Sequence, residues 1–434
     1  MVISASRRAA GLVRPVAAPM AAPARAGLPF AVFCVYLFVV IGRPQDYWPA
    51  LAPFRLALVF TILTSLVTLS RRGERAGGVF KYTETKLYFL LFAVMCAGIP
   101  FSIYRRASFD FVILQYVANM AFYVMFVIHV NSLVKYRRII VVLVISALTF
   151  TIFGLLQGRF NSGRFTTGSQ VFDSNDVAFI EVSFLPFAMC AILGPFSLLT
   201  RALALTGMLL SILLALYTGS RGGLIALGTI LLLFLILRTA SITRGHKAAI
   251  LLFVAIMGMM SLGKLNVKRY SSLADLGDDY NTSDEEGRVQ IWNRGWQLLL
   301  ENPLTGVGVN GFGAAIGTMR ASEHLRPVWQ APHNSYVQVF TETGFVGGAS
   351  FVLLIATCLR TLNGLRRGKE SPVGKGLRTL PGLLFIGFIA LLVAANFLSQ
   401  AYSISFTLFF AISASLKAIT AGADSVGAHT QAEL

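Results

Sequence analysis

Arg164, Arg221, Arg288 and His333 are the residues whose types and settings could do chemistry in this chain. Arg221 sits in Gly219-Ser220-Arg221-Gly222-Gly223, a turn between two apolar stretches. A guanidinium beside backbone amides at a helix start is a phosphate-binding arrangement. The competing reading is a lone arginine snorkelling to a membrane boundary. Arg288 falls in the first turn of an expected helix, where the helix dipole favours anions over cations. Its placement against that preference points to a functional contact, unless an acidic neighbour such as Glu285 simply pairs with it. His333, in Pro332-His333-Asn334-Ser335-Tyr336, stands just before another apolar helix that Asn334 or Ser335 would cap. An imidazole there can take up a proton near neutral pH. Arg164 precedes Asp173-Ser174-Asn175-Asp176. Asp173 or Asn175 would cap the following helix, and Arg164 either belongs to that turn or meets an anionic substrate.

These polar groups interrupt a very apolar chain of 434 residues, 56% hydrophobic and only 13% charged, with mean hydropathy +0.70. Soluble domains carry about a quarter charged residues, so the composition is that of a polytopic membrane protein. Apolar segments fall at about 28–42, 54–69, 87–103, 111–130, 138–157, 177–195, 202–217, 222–237, 247–263, 335–359, 381–397 and 402–419. The expected fold is therefore all-α, with about 12 transmembrane helices, or eleven if the polar turn Asn396–Ser403 does not separate the last two. Cys34, Cys96, Cys190 and Cys358 lie in or beside apolar runs with no metal-ligand spacing, and read as packing residues.

The net charge of +18 follows from cytoplasmic anchoring rather than from nucleic acid. With the amino terminus inside, 23 of the 37 basic residues fall on the cytoplasmic side, against 7 in the short external segments. That ratio puts both termini inside and one long loop outside. The expected layout is a disordered cytoplasmic tail over 1–27 and membrane helices over 28–263. A periplasmic loop with short helices spans 264–334, more helices span 335–419, and a cytoplasmic tail spans 420–434.

The long loop supplies the remaining motifs. Asp275, Asp278, Asp279, Asp284, Glu285 and Glu286 match no calcium-loop spacing and read as a solvated acidic turn, so no metal site is assigned. Ser283-Asp284-Glu285-Glu286 has the form of a capping box for a helix running to Glu301, stopped by Asn302-Pro303. Its apolar positions Val289, Trp292, Trp296, Leu299 and Leu300 recur at helical spacing, and the tryptophans suggest a helix lying in the membrane interface. Gly306-Val307-Gly308-Val309-Asn310-Gly311 matches a dinucleotide fingerprint in form only. Without a flanking βαβ unit it reads as a tight turn that lets backbone approach a helix or ligand. Glu342, inside the next helix, reads as a buried structural hydrogen-bonding group, and Gly344 with Gly348 as a close-packing face.

Taken in order, Gly219–Gly223, Arg288–Trp292, Asn302-Pro303-Leu304 with Gly306-Val307-Gly308, His333-Asn334-Ser335-Tyr336 and Glu342-Thr343-Gly344 resemble the core of the bacterial O-antigen ligase/polymerase family. The resemblance covers about 217–348 in detail. It implies an inverting, metal-independent glycosyltransferase of the bacterial inner membrane, without a cofactor. Its donor would be a glycan on undecaprenyl diphosphate, and its acceptor a saccharide, either lipid A-core or a growing polysaccharide. Matched residue by residue, it makes Arg221, Arg288 and His333 catalytic. Arg164, Asn334 and Tyr336 are the expected substrate-binding residues. Membrane lipid is the only other expected partner, and no nucleic acid is expected. The chemistry is coherent: attack on an anomeric carbon needs an activated hydroxyl and a stabilised diphosphate leaving group. Two guanidiniums and a histidine meet those needs without a metal. The alternative is a transporter or flippase for lipid-linked or small solutes, which the helix count and Glu342 permit.

Overall fold

A computed structural model describes residues 27–70, 76–169, 171–237, 243–248, 250–252, 284, 287–368 and 379–432. The expected segment 247–263 falls mostly outside them, as do the acidic residues 275–286 apart from Asp284. The described chain is almost wholly helical. Its elements are α1 (Leu28–Gly42), α2 (Leu56–Leu69), α3 (Thr83–Gly98), α4 (Arg105–His129), α5 (Leu133–Gln157), α6 (Ser174–Leu193), α7 (Leu198–Tyr217) and α8 (Arg221–Ile236). There follow α9 (Arg288–Glu301), α10 (Phe312–Ser322), α11 (Ser335–Arg367), α12 (Leu380–Ala394) and α13 (Ile404–Ala432). Among the described residues, nine helical stretches are long and apolar enough to cross a membrane, and α1 and α8 are shorter apolar helices. The chain is thus an all-α, multi-pass membrane protein, with one two-stranded hairpin among the described residues.

That hairpin, Arg159–Asn161 (β1) paired with Arg164–Thr166 (β2), was not expected from the sequence. Ser162 (φ 48) and Gly163 (φ 73) supply the two positive φ values of a tight hairpin turn. It carries Arg164 back over the start of α6.

Aromatic side chains dominate the packing between helices. Phe33 of α1 meets Phe122 and Phe126 of α4, while Phe388 of α12 meets Phe406, Phe409 and Phe410 of α13. By contrast α2 leaves Leu58, Val59, Ile62, Leu63 and Leu66 exposed, an apolar face suited to lipid. Within α4 the stretch Asp110–Tyr116 is π-helical, a widened turn of the kind often found at functional sites.

Two sequence expectations are corrected in the long-loop region. α9 begins at Arg288 on an extended Gly287, later than a box at Ser283–Glu286 would start it, and ends at Glu301 as expected. Its buried stripe is Ile291, Gly295, Leu298 and Leu299, whereas Val289 and Leu300 are 37% and 70% exposed. The reason is a close crossing with α11. A side chain at Gly295 would meet Val337 Cγ1 at 2.8 Å, and the Thr341 hydroxyl donates to the Gly295 carbonyl at 3.0 Å.

Gly344 also differs from its expected packing role. Its φ of 67° and ψ of −172° break α11 there, so Glu342 lies near the end of a short first segment rather than deep in a continuous helix. The break frees carbonyls, and the Gly306–Gly308 turn satisfies them. Val307 N–H donates to Thr341 O at 2.9 Å, and Gly308 N–H donates to Glu342 O at 3.1 Å. Phe345 N–H donates to Pro303 O at 2.8 Å from the other side of the break. Gly306 (φ 64) takes a left-handed conformation against Glu342 backbone, where a Cβ would collide. Gly347, rather than Gly344, faces α3 through Val94.

Candidate active site

Four helix starts are tied together by the turn between α12 and α13. Gly222, next to Arg221 at the start of α8, packs so closely on Phe397 that a Cβ would lie 2.7 Å from it. Ser399 Oγ accepts the His333 backbone N–H at 2.9 Å. The Ser335 hydroxyl donates to Leu398 O at 2.7 Å and accepts from Gln400 N–H at 3.0 Å. Gln400 Nε2 then donates to Asp176 Oδ1 of α6 at 2.8 Å. α9 joins through Trp292, whose indole N–H donates to Pro332 O at 2.8 Å, one residue before His333. Each bond is ordinary, and together they fix where α6, α8, α9 and α11 begin.

The electrostatics of these starts are unequal. α6 is capped by Asp173 in a capping box with Asp176, so its positive end is already compensated. α8, α9 and α11 have the neutral caps Ser220, Gly287 and Asn334, with no acidic residue in their first turns. Two of these three starts carry Arg221 and Arg288. A helix start with a neutral cap and a guanidinium is an arrangement suited to an anion.

His333 precedes α11 in a left-handed conformation (φ 46), which turns the chain from Pro332 into the helix. Partial burial lowers its pKa from the ordinary 6.5, the Arg288 guanidinium lowers it further, and Asp173 opposes both. Those couplings place Arg288 and Asp173 near the imidazole. The resting form at neutral pH is neutral imidazole, which can accept a proton.

The other expected substrate-binding residues are held in structural contacts. Arg164 Nε donates to Thr218 O at 3.0 Å and a terminal nitrogen donates to Asn175 Oδ1 at 2.8 Å, bracing the hairpin against α6 and the approach to Arg221. Asn334 Oδ1 accepts from Tyr336 N–H at 2.9 Å and Val337 N–H at 3.1 Å, so it caps α11. The Tyr336 hydroxyl donates to Leu392 O of α12 at 2.9 Å. Asn334 and Tyr336 thus hold the segment that carries His333.

Sequence reading missed the turn at 396–400 as an organiser, registering it only as a polar gap between helices. It also missed a cavity of about 660 Å³ beside this cluster, bordered by Pro332, Ser399, Gln400, Gln338 and Glu342. A second cavity of about 450 Å³ shares Phe111, Gln115, Gln400, Tyr402 and Ser403 with it, and extends along Leu58 and Ala57 of α2.

Residues 206–352 match the family model described as O-antigen ligase. No curated protein matches the chain significantly. The matched stretch contains Arg221, Arg288, His333, Asn334, Tyr336 and Glu342, but not Arg164. That match spans α8 to α11 and the cluster they form, so this part of the chain is similar to the O-antigen ligase family.

Proposed function

We propose that this chain transfers a glycan from undecaprenyl diphosphate to a saccharide acceptor at the periplasmic face of the inner membrane, with inversion and without a metal. The acceptor is lipid A-core in a ligase, or a growing glycan in a polymerase. The observation that carries this reading is the meeting of three helix starts with neutral caps, two bearing Arg221 and Arg288, at the turn that holds His333. His333 takes the acceptor hydroxyl proton as its oxygen attacks the anomeric carbon from the face opposite the diphosphate. The anomeric C–O bond breaks, and undecaprenyl diphosphate leaves with its charge held by the guanidiniums and helix ends. The lipid chain would lie against the exposed apolar face of α2.

Under this reading 264–334 is the periplasmic catalytic loop, both termini are cytoplasmic, and Arg164, Asn334 and Tyr336 position the reactants or the groups that contact them. A transporter reading draws on the broken helix α11, because transporters often bind solutes at such breaks. Here the freed carbonyls of Thr341 and Glu342 are taken by Val307 and Gly308, which favours the enzyme.

Two outcomes test the proposal. Cells lacking the chain should accumulate the lipid-linked glycan on the outer leaflet, open to a periplasmic glycosidase. Accumulation on the inner leaflet would instead support a flippase. A histidine base works deprotonated, so transfer should rise with pH through the folded pKa and then level off. Because that pKa is lowered, the acidic limb should lie below pH 6.5. Arg288→Gln should move it upward, because the guanidinium that disfavours imidazolium is gone; steady-state rates against pH give both midpoints.

A further inference from the structure

The cavity beside the cluster has a chemistry that diphosphate binding does not use. Glu342 is only 2% exposed, and its Oε1 accepts the Phe312 N–H at 3.4 Å, at the amino end of α10. Glu342 and Tyr402 face each other closely enough to interact, but among the described residues no well-formed hydrogen bond reaches Oε2 or the hydroxyls of Tyr402 and Ser403. All three residues line this one cavity. Buried polar atoms are almost always satisfied, so their convergence points to an occupant that supplies donors and acceptors.

The wall narrows the chemical class of that occupant. Tyr104 and Trp329 stand at its edge with ring centroids 6.3 Å apart, and the π-helical stretch of α4 adds Phe111 and Gln115. Among the described residues, no lysine, arginine or histidine lines it. A carboxylate without a facing cation repels phosphate, and the unsatisfied polar atoms disfavour a hydrocarbon tail. Aromatic faces combined with carboxylate and amide side chains suit a pyranose, which has both apolar C–H faces and a ring of hydroxyls. The volume is within the range of about 300–1,000 Å³ of small-molecule sites.

We propose that this cavity is a saccharide subsite, in which Glu342 Oε2 accepts a hydrogen bond from a sugar hydroxyl beside Tyr402. The Tyr104–Trp329 pair meets the sugar's apolar face. This rests on the transferase reading and assigns the sugar-binding half of the same site. Pro332 and Ser399, which flank and bond the His333 backbone, form the cavity edge nearest the histidine. A saccharide held there comes from either the donor or the acceptor, and both offer the same hydroxyl chemistry.

The test uses purified full-length protein and two phosphate-free probes in calorimetric titrations. One is the repeat-unit oligosaccharide released by mild acid from the producing strain's own polysaccharide, and the other is that strain's core oligosaccharide. Glu342→Gln keeps an oxygen for the Phe312 amide and replaces Oε2 with a donor. Wild type should bind one probe, and Glu342→Gln should bind it at least about tenfold more weakly at an unchanged unfolding temperature. Trp329→Ala, at a site 68% exposed and safe for folding, should weaken binding by a similar factor. The probe that binds identifies the donor or acceptor side. Equal binding by all three proteins, or no binding of either probe by folded wild type, overturns the subsite and leaves a water-filled cavity. Because these titrations need no turnover, a chain that binds sugar but fails to transfer would keep the subsite and lose the transferase reading. A chain that transfers without this binding would do the reverse.

Discussion

His333→Ala is expected to lower glycan transfer by about 10²–10⁴-fold, the usual worth of a general base, with folding and insertion intact. The imidazole is only partly buried, and the hydrogen bond that fixes this residue comes from its backbone to Ser399. Alanine keeps that bond, and Asn334 still caps α11. The loss should therefore appear in kcat with little change in the unfolding temperature. His333→Gln should be similarly inactive, because a side-chain amide fills the space without taking a proton. Purified variants assayed beside a thermal-unfolding control separate this from a folding defect.

The second large effect is expected at the arginines. Arg288→Lys and Arg221→Lys should each reduce kcat by about 10²–10³-fold, the loss typical when one preorganised donor to a developing oxyanion is removed. Lysine keeps the charge but loses the planar fork that grips two phosphate oxygens. The contrast with the pH experiment is informative. Arg288→Lys retains a positive charge beside His333, so the acidic limb should stay below pH 6.5 while the plateau falls. A lysine variant that transfers at the wild-type rate would show that Arg288 acts only through the histidine. Arg164→Lys should behave differently: it breaks the brace to Thr218 O and Asn175, so its main cost should be to stability.

Much of this arrangement was legible because membrane sequences expose their exceptions. Arginines and a histidine at helix starts stand out in a chain with so few charges; residue type narrowed two caps to Asp173 or Asn175 and to Asn334 or Ser335, and the structure selects Asp173 and Asn334. The Gly306–Gly308 turn could be recognised as a close backbone approach, but its partner could not. The same Gly-x-x-x-Gly spacing that suggests helix packing also permits a break at Gly344, and only the tertiary contacts with Val307 and Gly308 select the break.

The organising turn was hidden for a similar reason. Ser399 and Gln400 are unremarkable as types, and their partners His333, Ser335 and Asp176 lie far away in sequence. Buried acids inside helices were equally silent. Glu181 accepts from the Thr151 hydroxyl at 2.9 Å, and Glu84 accepts from the Thr361 hydroxyl at 2.7 Å, pairings no periodicity reveals. Glu342 was legible as a buried hydrogen-bonding group but not as a border of the cavity, since its second oxygen has meaning only beside Tyr402 and Ser403.

The most direct test of the central claim is transfer by the purified chain from an undecaprenyl-diphosphate-linked glycan to its acceptor, run with a chelator present. Wild type should form the glycan product at an undiminished rate under those conditions, and His333→Ala should form almost none while remaining folded. Wild-type turnover by His333→Ala would remove the histidine from the mechanism. Strict dependence on added Mg²⁺ or Mn²⁺ would contradict the metal-free account and move the chemistry toward the acidic residues 275–286.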